Sequence, residues 1–335
     1  MKIAILDDYQ DAVRKLECFR MLRGHEVKVF NNTVKGAGQL GVRLADSEAL
    51  VLIRERTRIT RELLAKLPKL KLISQTGRAG AHIDLAACTE RGVVVVDGAG
   101  APAAAAELTW ALTMAAMRRL PQYIANLKHG VWQQSGLKSA SDPPNHGLGE
   151  LLAGKTLGIW GFGKIGRMVA GYGTAFGMNV MVWGREHSRE AAREQLLDVA
   201  ADRHAFFSTC DVISLHLRLT DETRGIVTLD DLQAMKPTAL LVNTSRAELI
   251  AQGALIKALN GSRPGLAAVD VFESEPPLAG QPLLRMEKVV CTPHIGFVEK
   301  SSYEAMFSAA FRNILAYVAG EPVNVVNPDA RKRRA

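Results

Sequence analysis

Short apolar runs recur along the whole chain and are separated by longer amphipathic stretches. The first group comprises KIAILD, HEVKVF, ALVLI, LKLIS and VVVVD, and the second comprises TLGIWG, NVMVW, DVISLH, ALLVN, LAAVDV and VVCTP. Runs of this length, rich in Val, Ile and Leu, favour buried strands, and the stretches between them favour helices. Because parallel neighbours need a crossover connection, this alternation predicts an α/β fold built from doubly wound parallel sheets.

The length of the chain predicts two domains. The composition is that of an ordinary globular protein, with 47% hydrophobic and 23% charged residues. The length of 335 residues exceeds what one hydrophobic core usually holds. No apolar run is long enough to span a membrane. The start, MKIAILDDYQ, meets an acidic pair after a short apolar run, so we read it as a buried first strand and not as a signal peptide.

Cysteine usage indicates a reducing compartment, and we expect a cytoplasmic protein. The four cysteines are Cys18, Cys88, Cys210 and Cys291. They are scattered, with no CxxC pair and no metal-ligand spacing with histidine. We therefore expect small, mostly buried side chains and no metal site.

The net charge of +8 could signal nucleic-acid binding. However, Lys and Arg are interspersed with Asp and Glu, and the only dense cluster is RKRR at residues 331–334, which we interpret as a solvated end. We therefore expect neither a nucleic-acid partner nor a membrane partner. A mildly positive field favours anionic small substrates and phosphate-bearing cofactors.

Two further segments have a clear local character. The segment AAAAELTWALTMAAMRRL, residues 103–120, predicts a long helix that stops before Pro121 and joins the two domains. The polar stretch Gln133–Gly149 predicts a loop.

A glycine-rich turn follows the apolar run KTLGIW. The sequence GFGKIG consists of Gly161, Phe162, Gly163, Lys164, Ile165 and Gly166 and matches GxGxxG at a strand-to-helix turn. The glycines allow a tight turn, close approach of the backbone to a pyrophosphate and close helix packing. A strand on each side supplies the required context, and the segment predicts dinucleotide binding.

The end of the next strand lacks the acid that commonly binds the adenosine ribose. The stretch MVWGRE places Gly184 and Arg185 there, so no carboxylate repels a 2′-phosphate and the Arg185 guanidinium could bind one. We favour NADP, or use of both NAD and NADP. The alternative is that Arg185 and Arg189 are surface residues and that NAD binds without the usual acid.

Three later segments place polar groups at the ends of apolar strands. They contain Arg246, then Asp270, Glu273 and Glu275, then His294. Ligands of open α/β sheets bind at the carboxyl ends of strands. An imidazole that donates a proton, a carboxylate that holds it and a cation that polarises a carbonyl are what hydride reduction of a ketone requires.

Taken together, the sequence resembles the D-isomer-specific 2-hydroxyacid dehydrogenases over nearly the whole chain. The shared motifs, in the family's order, are ALVLIRERTRITRELLAKLPKLKLIS, AELTWAL, GKTLGIWGFGKIG, VISLHLRLTDETRG, MKPTALLVNTSR, VDVFESEP and TPHIG. The resemblance implies oxidation of a small D-2-hydroxy acid, or reduction of the 2-oxo acid, with a nicotinamide cofactor.

The resemblance also implies residue roles. Arg246 would bind substrate, His294 would be the acid/base and Glu275 its partner, with Glu273 a bystander. Asp270 would lie near the nicotinamide, and Thr244 would belong to the cofactor site. In the related formate dehydrogenases a glutamine replaces the partner carboxylate, so Glu275 points to a hydroxyacid.

For the fold, the resemblance implies a Rossmann nucleotide-binding domain, residues 99–296, inserted in a discontinuous flavodoxin-like substrate domain, residues 1–98 and 297–335. The active site would lie in a cleft between domains that closes over the substrate. A homodimer formed through the nucleotide domain and the helix near residues 103–120 is expected. No regulatory module is expected after VNP at residues 326–328.

The substrate side departs from the family pattern. The loop TGRAGAHIDL corresponds to the family's loop whose backbone N–H groups hold the substrate carboxylate, which implies a substrate role for Arg78, Ala79 and Gly80, but the glycine is shifted. An ordinary turn is the alternative. Arg54 and Arg56 would contact an anionic substrate or be plain surface residues.

Smaller departures affect the nucleotide side. NTSRAEL lacks the glycine that usually follows the arginine, and Arg218 replaces a common proline. His216 would line the cofactor cleft or be structural.

The sequence also allows a second class of function, that of a binding protein rather than an enzyme. The family also contains corepressors that bind a dinucleotide and dimerise. The intact set of Arg246, Glu275 and His294 favours an enzyme over a purely binding protein.

Overall fold

The structure is a computed structural model that describes residues 1–98, 100–135 and 147–333, without the side chains of residues 331–333. The chain divides into two compact units: unit 1 comprises residues 1–101 and 298–335, and unit 2 comprises residues 102–297. The predicted domain boundaries fall after residues 98 and 296. The roles assigned to the two domains stay predictions.

Unit 1 contains a five-stranded parallel sheet of order β2-β1-β3-β4-β5, with three helices in its first segment. This is the flavodoxin-like order, in which the direction of winding reverses between β1 and β3. In chain order the elements are β1 (Lys2–Ile5), β2 (Glu26–Val29), α1 (Ala37–Leu44), β3 (Ala49–Ile53), α2 (Arg61–Ala65), β4 (Leu72–Thr76), α3 (Leu85–Glu90) and β5 (Val94–Val96).

Unit 2 contains a seven-stranded parallel sheet of order β12-β11-β10-β9-β6-β7-β8. Its chain-order elements are α4 (Pro102–Met117), α5 (Leu120–Lys128), β6 (Thr156–Trp160), α6 (Lys164–Ala175), β7 (Asn179–Trp183), α7 (Glu186–Arg193), β8 (Asp198–Val199), α8 (Arg203–Thr209), β9 (Val212–Leu215), α9 (Leu229–Ala234), β10 (Leu240–Asn243), α10 (Ala254–Asn260), β11 (Leu266–Val269) and β12 (Val289–Cys291). Six of these strands follow the Rossmann order, and the winding reverses between β6 and β9.

The last helix, α11 (Lys300–Val318), belongs to unit 1 and packs on β4, where Ser74 Oγ donates to the carbonyl of Ala310 at 2.9 Å. Short 3-10 helices complete the chain at Val13–Lys15, Glu17–Leu22, Ala247–Leu249, Pro282–Arg285 and Pro328–Arg333.

Both sheets are covered on both faces, as the apolar runs predict. Every residue of β3 and β4 is buried, which is typical of parallel strands between helix layers. In unit 2, Leu157 and Ile159 of β6 face one core layer, whereas Trp160 packs edge-on against Phe206 and Phe207 in the other. The predicted α/β class, with its Rossmann and flavodoxin-like sheets, is confirmed.

Three local features differ from the predictions. Strand β8 was not predicted, because two residues make no apolar run. The predicted helix of residues 103–120 is shorter, ending at Met117, and Arg119 adopts a left-handed backbone (φ 52°) before α5 begins. Pro121 lies in the first turn of α5, where no N–H is needed, so it does not end helical structure as predicted.

Some predictions concern residues only partly described. The predicted loop Gln133–Gly149 includes residues 136–146, which lie outside the described residues. The same is true of residues 334 and 335 and of the side chains of the RKRR cluster, so its interpretation as a solvated end stays a prediction. Within the described parts of the chain, no helix combines the length and apolar character needed to cross a bilayer.

Candidate active site

The glycine-rich turn lies where the winding of the unit 2 sheet reverses. Gly161 has a left-handed backbone (φ 99°), and a Cβ there would lie 2.6 Å from the carbonyl oxygen of His216, at the end of β9. A Cβ on Gly166 would lie 2.2 Å from the carbonyl oxygen of Gly161. Neither position has room for a side chain, whereas Gly163 is exposed and would meet nothing within 4 Å.

The start of α6 suits a phosphate group. Gly163 is its N-cap, no side chain caps the helix, and the first turn carries no acid. The N–H groups and the positive end of the helix dipole therefore face the open side of the turn. Lys164 is exposed and Ile165 is half-buried, while buried Phe162 lies under the Arg167 guanidinium at 5.0 Å. These residues fit the pyrophosphate of a dinucleotide.

At the end of β7 the structure brings in an acid from another segment. Arg185 Nη2 lies 2.5 Å from Glu222 Oε2, and both side chains are largely exposed. Arg189 instead packs over Trp183 at 5.3 Å and pairs with Glu186 at 2.6 Å. The sequence predicts no carboxylate at the end of β7. The structure nevertheless places the carboxylate of Glu222, from a distant segment, on Arg185, the residue after Gly184.

His294 and Glu275 form a close pair. The Nδ1 atom of His294 lies 2.6 Å from Glu275 Oε2, and Glu275 Oε1 accepts a hydrogen bond from the Phe272 N–H at 3.0 Å. Both side chains are partly exposed. A carboxylate on Nδ1 selects the tautomer with its hydrogen there and leaves Nε2 to exchange a proton with a reactant.

The charge of Glu275 is stabilised locally. Burial alone would raise the pKa of its carboxyl, but the hydrogen bond and charge of His294, the Phe272 N–H and the charge of Arg246 together hold the pKa below its ordinary value. Glu275 therefore remains ionised at neutral pH and can stabilise a positive imidazolium. Its interaction with Arg246 also brings the three predicted catalytic residues into one electrostatic unit.

His294 has a left-handed backbone that Asp270 supports. The φ angle of His294 is 52°, which a non-glycine residue adopts at a cost of about 1 kcal/mol or more. Fully buried Asp270 accepts hydrogen bonds from the N–H groups of Ile295 and Gly296, both at 2.8 Å, and from the Thr292 hydroxyl at 2.6 Å. Burial raises the pKa of Asp270, and these donors offset part of that rise.

Arg246 follows β10 and is held by its neighbours. Buried Asn243 donates from Nδ2 to the carbonyl of Arg246 at 2.8 Å and accepts from the Ser245 N–H at 3.0 Å. The Ser245 hydroxyl donates to the Leu215 carbonyl at 2.6 Å, and Arg246 Nη1 donates to the Ser245 carbonyl at 2.7 Å. Asn243 thus fixes the backbone on both sides of the turn that carries Arg246.

Thr244 lies between these groups and α4. Its hydroxyl oxygen is 2.7 Å from that of Thr109, which also donates to the Ala105 carbonyl. This contact links the predicted cofactor residue to a helix whose sequence is otherwise almost entirely apolar.

His216 directly follows β9 and is half-buried. Burial lowers its pKa to about 4, so the ring is neutral at physiological pH. Its Nε2 lies 2.9 Å from the Ser214 hydroxyl, which can donate to the neutral ring.

In unit 1, Arg54 lies against the predicted substrate loop. A Cβ on Gly77 would lie 2.3 Å from Arg54 Nη1, so a side chain there would displace this guanidinium, and the φ of 91° at Gly77 itself favours glycine. The backbone of Arg54 is also left-handed (φ 53°). Thr76 Oγ1 accepts a hydrogen bond from the Arg54 N–H at 3.0 Å, and Gln75 Nε2 donates one to the Arg54 carbonyl at 2.8 Å.

The other predicted loop residues differ in their contacts. The Ala79 N–H donates to Asp97 Oδ2 at 3.2 Å, and Gly80 is half-buried. Arg78 is exposed. Arg56 is engaged locally, donating to the Asp7 carbonyl at 2.6 Å and lying over the Tyr9 ring at 4.7 Å.

Several contributing residues were not predicted from sequence, namely Asn243, Glu222, Asp97 and Thr292. Asn243 and Thr292 lie inside the quoted motifs, so their position beside Arg246 and His294 was the available signal. Glu222 also lies inside a quoted motif and Asp97 ends the run VVVVD, but their partners, Arg185 and the Ala79 N–H, belong to other segments, so these contacts could not be predicted from position.

The cysteines are all free thiols, and burial raises the pKa of each to about 11 or 12. Three are buried, whereas Cys291 is only partly so. Among the described residues, no cluster of His, Cys, Asp and Glu could hold a metal ion.

A family model covers more than half of the chain: residues 110–296 match the NAD binding domain of the D-isomer specific 2-hydroxyacid dehydrogenases. The D-3-phosphoglycerate dehydrogenase of Methanocaldococcus jannaschii is 35% identical over 330 residues, which are 98% of this chain but 59% of that protein. The glyoxylate reductase of Thermococcus litoralis is 36% identical over 294 residues, 87% of each chain.

Solved structures agree with these sequence matches. The structure of a proposed D-3-phosphoglycerate dehydrogenase from Ralstonia solanacearum is 65% identical, with a TM-score of 0.97 over 99% of this chain and 98% of the other. The two sheets of the present chain, its glycine-rich turn and its sequence relatives together show that it belongs to the D-isomer specific 2-hydroxyacid dehydrogenase family.

Proposed function

We propose that the protein interconverts a small 2-oxo acid and the corresponding D-2-hydroxy acid with a nicotinamide cofactor. The observation that carries this proposal is the 2.6 Å contact between His294 Nδ1 and Glu275 Oε2, in the same electrostatic unit as Arg246. An oriented imidazole with one nitrogen for proton exchange, beside a cation, is what carbonyl reduction needs.

Each residue of this unit has a distinct task in the proposal. His294 donates a proton from Nε2 to the oxygen of the 2-oxo group and accepts it again in the reverse direction. Glu275 holds Nδ1 and balances the positive imidazolium. Arg246 binds the substrate carboxylate and polarises the carbonyl through its planar, always charged guanidinium. The bound cofactor supplies or accepts the hydride.

The phosphate loop and the end of β7 support the cofactor assignment. Residues 161–166 fit a pyrophosphate, and Thr244 and Asp270 lie at the ends of the neighbouring strands β10 and β11. We propose NADP as the preferred cofactor because Arg185 offers a guanidinium beside Gly184. The pair with Glu222 opposes this choice, since a 2′-phosphate must displace that carboxylate.

Unit 2 is then the nucleotide-binding domain and unit 1 the substrate domain, with Arg54 and the loop at residues 77–80 on the substrate side. We further propose a homodimer formed through unit 2. Leu120, Ile124 and Leu127 are exposed at helical spacing along α5, and an apolar stripe of this kind favours burial against another chain.

A substrate panel tests the proposal. Glyoxylate, hydroxypyruvate, pyruvate and phenylpyruvate are each supplied with NADPH and with NADH, and absorbance of the reduced cofactor is followed. We expect turnover of at least one acid, a D product, and a loss of at least about a hundredfold in kcat/KM in His294→Gln. His204→Gln, which changes an exposed histidine of unit 2, is the matched control.

Turnover of no panel member would reject the proposal, and so would full activity in His294→Gln. The relatives described above are oxidoreductases by name, and none supports the corepressor alternative.

A further inference from the structure

Two threonine hydroxyls meet inside unit 2, one on helix α4 and one directly after strand β10. The Oγ1 atom of Thr109 is 2.7 Å from that of Thr244, and it also lies 2.7 Å from the carbonyl oxygen of Ala105. Thr109 is fully buried, whereas Thr244 is only half-buried. Thr109 therefore makes both contacts away from water, while Thr244 keeps a surface that a ligand can reach.

These two contacts fix the direction of both hydrogen bonds. A carbonyl oxygen only accepts, so the single hydroxyl hydrogen of Thr109 is donated to Ala105. If Thr109 donated to Thr244 instead, its contact with the carbonyl would contain no hydrogen and would be repulsive. The bond between the threonines therefore uses the hydrogen of Thr244. Thr244 donates inward to Thr109 and has only oxygen lone pairs left for a ligand.

The end of the neighbouring strand has the same polarity. Asn243 and Val269 are paired in the register of β10 and β11, so Thr244 and Asp270 follow the two strands at the same level. An ionised carboxylate also only accepts, and Asp270 accepts three hydrogen bonds. These two side chains offer acceptors and no hydrogen, which suits a ligand group that carries N–H donors.

We propose that Thr109 is a positioning residue that holds the Thr244 hydroxyl as an acceptor for the N–H groups of the nicotinamide carboxamide. The inference rests on the proposed function, since it concerns how the same cofactor site recognises its ligand. The carboxamide is the substituent of the nicotinamide ring that carries hydrogen-bond donors. Thr109 thereby favours this ring over rings whose substituent lacks N–H, although it is itself too deeply buried to contact the cofactor.

The 3-acetylpyridine analogues of NADH and NADPH test this hydrogen bond, because they keep the carbonyl of the carboxamide and lack its N–H groups. Quenching of tryptophan fluorescence gives the affinity of each cofactor and of its analogue without turnover. We expect the wild type to prefer the cofactor. In Thr109→Val the Thr244 hydrogen loses its acceptor and can turn toward the ligand, where it opposes the N–H groups, so this preference should fall by about threefold to tenfold. Thr109→Ser keeps the hydroxyl and should retain most of the preference.

Thr113→Val is the matched control. Thr113 is also buried on α4, and its hydroxyl donates to the carbonyl of Thr109 at 2.8 Å, four residues earlier. Its removal costs the helix the same kind of bond but leaves the contact with Thr244 in place, so the preference should not change. The double variant of Thr109→Val and Thr244→Val should match Thr244→Val alone, because Thr109 acts only through Thr244.

The outcomes separate the two proposals. Equal binding of cofactor and analogue by the wild type would overturn the positioning role and leave the proposed reaction intact. An unchanged preference in Thr109→Val or in Thr244→Val, an equal fall in Thr113→Val, or additive falls in the double variant would do the same. Because each preference is a ratio taken within one protein, partial loss of folded protein cancels. No quenching by NADH, NADPH or either analogue would overturn the proposed function and this inference with it.

Discussion

His294 Nδ1 and Glu275 Oε2 are 2.6 Å apart, although the residues are 19 positions apart in the sequence. Two features make this contact more than a surface pair. The Phe272 N–H fixes the other oxygen of the carboxylate, and Asp270 holds the left-handed segment that carries the imidazole. The ring is therefore held on Nδ1, which leaves Nε2 for the proton exchange that we propose.

Glu275→Gln should lower kcat/KM about tenfold to a thousandfold, because the amide accepts a hydrogen bond but does not balance an imidazolium. Steady-state kinetics with the best panel substrate measures the loss. Glu273→Gln is the matched control, since Glu273 is exposed, lies two residues away and accepts a hydrogen bond from the Gly253 N–H at 3.3 Å. Equal kinetics in both variants would remove Glu275 from the mechanism.

Asn243→Ala should raise KM for the 2-oxo acid by about tenfold, with a smaller effect on kcat. The variant loses the bonds on both sides of Arg246, so the guanidinium binds the substrate carboxylate less well. Asn243→Asp keeps the acceptor for the Ser245 N–H and should be intermediate. Asn260→Ala, at an exposed helix end, is the control. A fall in thermal stability with unchanged KM would mean that Asn243 is only structural.

Arg185→Ala should weaken NADPH binding at least tenfold and leave NADH binding nearly unchanged. Glu222→Gln should tighten NADPH binding by up to about fivefold, because it releases Arg185 from an exposed ion pair of modest strength. Quenching of tryptophan fluorescence by each cofactor gives both affinities, with Glu190→Gln on α7 as control. Weaker NADH binding in Glu222→Gln would instead make Glu222 the missing ribose acid.

His216 should make the folded state sensitive to acid between about pH 6.5 and pH 4. Burial lowers its pKa from 6.5 to about 4, so in this window the unfolded chain binds a proton that the folded chain does not. Stability therefore rises with pH across the window, by at most about 3 kcal/mol from this group. Thermal unfolding at pH 4.5 and pH 7 should show a smaller difference in His216→Asn than in the wild type. His204→Asn should keep the full difference.

Light scattering after size exclusion should give twice the 36.3 kDa mass of the chain. Ile124 and Leu127 keep 54% and 56% of their surface exposed, so Ile124→Glu with Leu127→Glu should produce a monomer. Val42→Glu, at an 85% exposed position of unit 1, should not change the mass. A monomeric wild type would contradict the proposed dimer.

Local sequence patterns were sufficient for most of the fold. Each of the eleven apolar runs overlaps a strand of the two sheets, because a buried parallel strand needs a continuous apolar segment whatever surrounds it. The glycines at 161 and 166 were equally readable, since no side chain fits there. The two-residue strand β8 and the turn between α4 and α5 were not, because each depends on neighbours rather than on composition.

The sequence by itself determined the α/β class, the glycine-rich turn and the residue types of the proposed catalytic unit. Only the tertiary structure decided which charges meet. It placed Glu222 on Arg185, 37 residues away, and Asp97 on the loop at Ala79, 18 residues away. The physical reason is that burial and backbone geometry act locally along the chain, whereas charges interact through space and depend on how distant segments are brought together.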